Sequence, residues 1–120
     1  KHNLIFSAHT YWTSYANSTT AITNLLNDAA TWNIPVVLGE IANKQDDNSG
    51  NCIYTLDVAA VMQAAHNNNI GYLAWVWTQD NCGARQMTTN GNFNTLTSYG
   101  NTIINTATTG IKYAKKPRCW

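Results

Sequence analysis

The chain has 120 residues, of which 44% are hydrophobic and only 11% are charged, and its formal net charge is +1. This length accommodates one domain with a moderate core, and the composition excludes an intrinsically disordered chain. Asn and Thr, 17 and 16 residues respectively, replace charged residues on the expected surface. A weakly charged surface favours a neutral ligand, so we expect neither a nucleic acid nor a membrane as partner.

In chain order, short apolar runs alternate with segments of helical periodicity. The apolar runs predict strands near residues 3–9, 34–41 and 70–77, and the periodic segments predict helices near 19–32, 56–68 and 95–107. Ser18 or Thr19 is the expected cap of the first helix, Thr55 caps the second, and Gly110 stops the third. Residues 42–54 are polar and rich in Gly, Asn and Asp, which predicts a loop.

Near-continuous apolar strands between amphipathic helices are typical of a parallel sheet covered by helices. Right-handed crossovers then bring the carboxyl ends of all three strands to one edge of the sheet. Three parallel strands leave two edges and one face open, and we expect Leu38 and Leu73 on that face. The sequence therefore predicts a homodimer or higher oligomer in which sheets pair edge to edge or face to face, a closed barrel of six strands being one such arrangement.

The strand ends carry the residues with chemistry. Glu40 is the only glutamate of the chain and ends the second strand. A carboxylate there is partly desolvated and suggests catalysis, although the position alone fits a loop ion pair equally well. His9 and Tyr11 share a face at the end of the first strand, and Trp75 and Trp77 share a face at the end of the third. Each alone has an ordinary structural explanation, but together on strands about 4.8 Å apart they predict one pocket.

The three cysteines do not form a metal-binding pattern, because there is no CxxC and no His at ligand spacing. Cys52 and Cys82 follow the second and third strands and leave the sheet side by side, so we predict that they form a disulfide. Cys119 is then free or bridges two chains. We expect no metal and no other cofactor.

The chain shows neither a signal peptide nor an apolar stretch long enough to span a bilayer, which fits a mature secreted product or a trimmed piece of one. Most of its positive charge lies near the end, in Lys112, Lys115, Lys116 and Arg118. We interpret this run as a solvated basic tail over 112–120.

Three motifs resemble consecutive strands of the family 5 glycoside hydrolases. They read FSAHTY from residue 6, VVLGE from residue 36 and GYLAWVW from residue 71, and they are similar to strands six, seven and eight of that family's (β/α)₈ barrel. Residues 96–104 are similar to its last helix. The likeness is greatest to bacterial endo-β-1,4-mannanases and next to cellulases, and it covers residues 3 to about 111. The resemblance implies a partial TIM barrel of three β/α units over residues 1–111.

The resemblance also implies a secreted hydrolase that cuts a β-linked polysaccharide or oligosaccharide, mannan or cellulose, with retention. Glu40 matches the nucleophile, which must be an ionised carboxylate beneath the anomeric carbon. His9 and Tyr11 match the pair that orients this carboxylate and contacts sugar, and a phenol that donates to it keeps it ionised. Trp75 matches the platform on which the sugar stacks. The remaining substrate-binding candidates are Trp12, Trp77 and Asp80.

The chain departs from the family pattern in one large respect. A (β/α)₈ barrel takes roughly 250 residues, and the Asn-Glu pair of strand four, whose Glu is the acid/base, has no counterpart here. Neither have the Arg and His of the earlier strands. The second carboxylate must then be an Asp, of which Asp80 is the best candidate, come from another chain, or be absent. The alternative function is a carbohydrate-binding or inert barrel fragment without turnover.

Overall fold

The computed structural model describes residues 4–10 and 18–114, and these form a parallel three-stranded sheet with helices packed on one face. The strands and helices are β1 (Phe6–His9), α1 (Thr19–Thr31), β2 (Val36–Ile41), β3 (Lys44–Gln45), β4 (Tyr54–Thr55), α2 (Val58–Asn67), β5 (Gly71–Ala74) and α3 (Ser98–Asn105). Single 3₁₀ turns occupy Gly83–Arg85, Phe93–Thr95 and Ile111–Tyr113.

The sheet has the strand order β1–β2–β5, and both pairings are parallel. The predicted parallel α/β arrangement of three strand–helix units is therefore confirmed. Glu40 in the central strand lies opposite His9, and Ile41 lies opposite Ala74. This register brings the carboxyl ends of the three strands to one edge of the sheet.

The core lies between the sheet and the helices. Its largest fully buried hydrophobic side chains are Leu38, Ile41, Val61, Met62 and Ile103, each at most 1% exposed. The expectation that Leu38 faces the open side of the sheet is wrong, because the register turns this side chain toward the helices. Leu73, in contrast, is 63% exposed and lies on an uncovered surface, as expected.

Side-chain caps set the start of each helix. Ser18 accepts a hydrogen bond from the Ala21 amide and so begins α1, as one of the two predicted caps. The predicted cap of α2 is wrong: Thr55 pairs with Lys44 in a strand, and Asp57 caps the helix instead.

The last helix is shorter than predicted. Thr97 accepts a hydrogen bond from the Gly100 amide, which starts α3 at Ser98. The helix ends at Asn105, and Gly110 lies beyond its C-cap, so it is not the stop residue.

The segment 42–54, predicted to be a loop, contains most of a small hairpin. Lys44–Gln45 and Tyr54–Thr55 pair antiparallel, and Asp47 tightens the turn between them by accepting hydrogen bonds from the Ser49 and Asn51 amides. The predicted disulfide between Cys52 and Cys82 is confirmed, with Cα atoms 5.8 Å apart. It ties the hairpin to the long segment after β5.

The third strand ends at Ala74, three residues earlier than predicted, and the Trp75–Val76 peptide bond is cis. Within the described ranges no helix is long and apolar enough to cross a membrane. The 3₁₀ turn Ile111–Tyr113 contacts α3. The predicted boundary between the domain (1–111) and the tail (112–120) therefore falls within this turn.

Candidate functional site

Glu40 and His9 meet at the carboxyl ends of β2 and β1. The Nδ1 atom of His9 lies 3.5 Å from Oε2 of Glu40, and their side chains are 41% and 24% exposed. The main chain fixes this pair, since the Thr10 amide donates to the Glu40 carbonyl at 3.1 Å. An imidazole beside a carboxylate can orient it and share a proton with it.

Gly39 has no side chain, and this leaves room for the side chains of Ser7 and His9. A Cβ atom built at this position would lie 2.0 Å from Oγ of Ser7 and 3.3 Å from Nε2 of His9. Any larger residue would therefore push against the imidazole that contacts Glu40. Tyr11 and Trp12, the other predicted site residues of this region, lie outside the described residues.

Trp75 follows β5 and is held at three points. Its amide donates to the Ile41 carbonyl at 2.9 Å, and its carbonyl accepts from the Tyr99 hydroxyl at 2.7 Å. Its indole Nε1–H donates to Oδ2 of Asp80 at 2.5 Å. The side chain remains 38% exposed, which leaves part of the ring available to a ligand.

Asp80 belongs to a charged network that crosses between two loops. Its Oδ1 atom accepts from Arg85 at 2.8 and 3.3 Å and from the Cys82 amide at 2.6 Å. Arg85 also donates to Asp46 at 2.9 Å. The side chains of Asp80 and Arg85 are only 5% and 8% exposed.

These contacts determine the protonation states of the network. Burial alone would raise the pKa of Asp80, but hydrogen bonds from Arg85, Cys82 and Trp75 outweigh it and hold the pKa below the ordinary value. Burial would likewise lower the pKa of Arg85, and its bonds to Asp80 and Asp46 raise it instead. Both groups are charged at neutral pH.

Trp77 occupies a different environment from Trp75. Its ring packs against the hydrophobic core and lies 4.8 Å from the ring of Phe93, and its Nε1–H donates to the Gly91 carbonyl at 2.9 Å. The strand alternation that would place Trp75 and Trp77 on one face ends at Ala74.

The predicted site residues line two separate cavities. Trp75 and Asp80 line one of about 350 Å³ together with Asp46, Gln79, Asn81 and Arg85. His9 lines another of about 340 Å³, which is largely apolar and lies between α1 and the strands β1 and β2. Glu40 is not among the described residues that line either cavity. Nowhere in the described ranges are three or more His, Cys, Asp or Glu side chains placed to hold a metal ion.

Sequence reasoning missed several residues that support the site, namely Asp46, Arg85, Tyr99 and Gly100. Arg85 is the only arginine outside residues 112–120, which was a usable signal for a structural charge. The Tyr99 hydroxyl contacts the Ile41 and Trp75 carbonyls, at 3.1 and 2.7 Å. Burial raises the pKa of Tyr99, so this hydroxyl keeps its proton and acts as a donor. Nothing in the local sequence reveals these contacts.

Comparison with known proteins identifies the family. Residues 1–81 match the sequence model of a family described as "Cellulase (glycosyl hydrolase family 5)". The chain is 35% identical over 114 residues to a mannan endo-1,4-beta-mannosidase of Cellvibrio japonicus, a match that covers 93% of this chain and 24% of that protein. It is 29% identical over 104 residues to a mannan endo-1,4-beta-mannosidase of Streptomyces lividans, covering 85% of this chain and 25% of the relative.

Part of a solved structure has the same fold as this chain. The beta-mannanase from Streptomyces thermolilacinus with mannohexaose superimposes with a TM-score of 0.76 over 95% of this chain and 35% of that chain, at 24% identity. The chain spans about a quarter of the length of the curated relatives it matches. It belongs to glycosyl hydrolase family 5, as the three strand motifs predicted.

Proposed function

We propose that this chain is the nucleophile-bearing part of a secreted, retaining endo-β-1,4-mannanase. The observation that carries the proposal is the position of Glu40, the penultimate residue of the central strand, whose carboxylate lies 3.5 Å from His9. The exposed Trp75 follows the neighbouring strand. Both curated relatives reported above are named mannan endo-1,4-beta-mannosidases, which supports mannan over cellulose as the substrate.

In this mechanism a Glu40 carboxylate oxygen forms a bond to the anomeric carbon as the glycosidic C–O bond breaks. His9, and Tyr11 as the sequence predicts, orient the carboxylate, and the indole of Trp75 supports the sugar from below. A separate carboxyl group must protonate the departing oxygen and then deprotonate the water that releases the sugar from Glu40.

We place that second carboxyl group outside this chain. Glu40 is its only glutamate, and Asp80, the best in-chain candidate, has both oxygens occupied by Arg85, Cys82 and Trp75. A carboxylate with four donors and a lowered pKa is a poor proton donor. The acid/base is therefore supplied by further sequence of a longer protein or by a second copy of the chain.

The open surfaces of the sheet support the same view. Both outer strands pair only with β2 among the described residues, and Leu73 is 63% exposed. We propose that a second copy covers this surface when the 120-residue chain is isolated. Light scattering at micromolar concentration should show a dimer or larger assembly, and a stable monomer would contradict this part of the proposal.

Covalent labelling tests the role of Glu40 without requiring the acid/base. A dinitrophenyl 2-deoxy-2-fluoro-β-mannoside loses dinitrophenolate, which needs no protonation to depart. We expect slow transfer of the fluoro-mannosyl group to Glu40, detected by mass spectrometry of the peptide that contains it. Glu40→Gln is the matched control. Labelling elsewhere, or none with the folded chain under long incubation, would contradict the nucleophile assignment.

The alternative function is a carbohydrate-binding unit without turnover. It is favoured because the described residues hold Trp75 at its indole and its carbonyl but contain a single glutamate. Titration with mannohexaose and cellohexaose distinguishes the two functions and the two substrates. Trp75→Ala should weaken mannohexaose binding by roughly 1–3 kcal/mol, the scale of base–aromatic stacking. Tyr113→Ala, which removes an exposed aromatic side chain (47%) outside both cavities, is the control. Binding without labelling would support the binding unit.

A further inference from the structure

Neither the family match nor the proposed function assigns a role to the charged network beside Trp75. Arg85 is almost fully buried and is shared between two carboxylates, Asp46 and Asp80. Asp46 lies after the short strand β3, whereas Asp80 and Arg85 lie in the segment after β5. The Cys52–Cys82 disulfide joins the same two segments.

Hydrogen bonds hold Trp75 both at its main chain and at its indole nitrogen. The Tyr99 hydroxyl holds its carbonyl, and Asp80 holds the tip of its indole at 2.5 Å. Rotation of the indole about either side-chain bond would break the bond to Asp80. Asp80 cannot follow, because its other oxygen is fixed by Arg85 and by the Cys82 amide.

We infer that Asp80 is a positioning residue that fixes the indole plane of Trp75 for a sugar ring, with Arg85, Asp46 and the disulfide holding Asp80 in place. The inference rests on the proposed sugar-platform role of Trp75. A platform already fixed in the unbound state loses less conformational entropy when it binds, which strengthens binding.

The first test does not depend on sugar binding. In a ¹⁵N–¹H spectrum, the indole Nε1–H signal of Trp75 is assigned by its loss in Trp75→Phe. Its exchange with solvent should be at least tenfold slower than that of the Trp32 indole, which belongs to a half-exposed side chain. Exchange of the Trp75 proton as fast as that of Trp32 would overturn the inference, whatever the substrate is.

The second test uses a matched pair of variants. Asp80→Asn removes the carboxylate from Trp75, whereas Asp46→Asn removes a carboxylate from the same arginine without contacting Trp75. Asp80→Asn should weaken mannohexaose binding about fivefold and accelerate exchange of the Trp75 proton. Asp46 acts on Trp75 only through Arg85, so Asp46→Asn should weaken binding and accelerate exchange less than Asp80→Asn does, and equal losses in the two variants would overturn the inference.

A double-mutant cycle separates positioning from a general loss of structure. In the Trp75→Phe background the indole donor is absent, so adding Asp80→Asn should leave mannohexaose affinity unchanged. An equal loss in both backgrounds would overturn the inference. If the unmodified chain does not bind mannohexaose, the proposed function fails, and the exchange measurement still decides whether Asp80 holds Trp75.

Discussion

The two sides of the candidate site are built differently. On the β1 side, the His9 imidazole lies 3.5 Å from the Glu40 carboxylate, and the side chains of Glu40 and His9 are 24% and 41% exposed. On the β5 side, Trp75 is held at its amide, carbonyl and indole nitrogen, and Asp80 beside it is 5% exposed. Asp80, which holds the platform, is therefore more deeply buried than either member of the His9–Glu40 pair.

This difference shows which parts of the site the chain can organise alone. The platform side is enclosed by the hairpin, the disulfide and α3, all of which belong to this chain. On the β1 side, β1 is an outer strand of the sheet and pairs only with β2 among the described residues.

The largest effect is expected from removing the disulfide that supports the platform. Cys52→Ser/Cys82→Ser opens a link between residues 30 apart in sequence, and should lower the free energy of unfolding by about 3 kcal/mol. Urea denaturation measures this loss. Cys119→Ser is the control and should have little effect. A loss below about 1 kcal/mol would show that the platform side does not depend on its covalent link.

The close packing of α3 against the platform segment gives the next largest effect. A Cβ atom at Gly100 would lie 1.9 Å from the main-chain oxygen of Met87. Gly100→Ala should therefore destabilise the protein by about 2 kcal/mol. Gly71→Ala is the matched control, because its Cβ would meet nothing closer than 3.7 Å. Equal denaturation midpoints for the two variants would contradict the packing argument.

The hydroxyl of Tyr99 joins the ends of β2 and β5, and its removal should have a smaller effect. Tyr99→Phe leaves the Trp75 carbonyl without its 2.7 Å donor and should reduce stability by about 1 kcal/mol. Amide exchange at Trp75 should accelerate at the same time. The control is Tyr113→Phe, whose side chain is 47% exposed. If exchange at Trp75 is unchanged in Tyr99→Phe, the hydroxyl does not fix this strand end.

Lowering the pH should affect the Trp75 side of the site and not the Glu40 side. This is the smallest of the expected effects on stability. The folded-state pKa of Asp80 lies below its ordinary value, so its stabilising contribution is complete above about pH 4 and is lost as the pH falls through the folded-state pKa. Exchange of the Trp75 indole proton should accelerate over that range. His9→Ala, on the other side of the site, should leave this transition unchanged.

A second carboxyl group also has a pKa below its ordinary value and needs its own control. Asp47 has a lowered pKa because of hydrogen bonds from Asn51 and Ser49. Asp47→Asn should therefore preserve the acid transition of the Trp75 indole, whereas Asp80→Asn should abolish it. An acid transition that disappears in Asp47→Asn would assign it to the hairpin turn rather than to the platform.

The sequence by itself determined the order and type of the main elements, because the apolar periodicity that distinguishes strands from helices is local. It also determined the parallel sheet and the Cys52–Cys82 pairing, since right-handed crossovers bring the loops after successive strands to one edge. The position of Glu40 at the end of the second strand followed from the same pattern.

Only the tertiary structure decided the details that depend on register and on distant partners. The prediction for Leu38 failed because the pairing of strands, and not the local pattern, chooses which side chains face the helices. The network of Asp46, Asp80 and Arg85 joins residues up to 39 positions apart. Hydrogen bonds of this kind form only once the two segments meet, so they leave no periodic signal in the sequence.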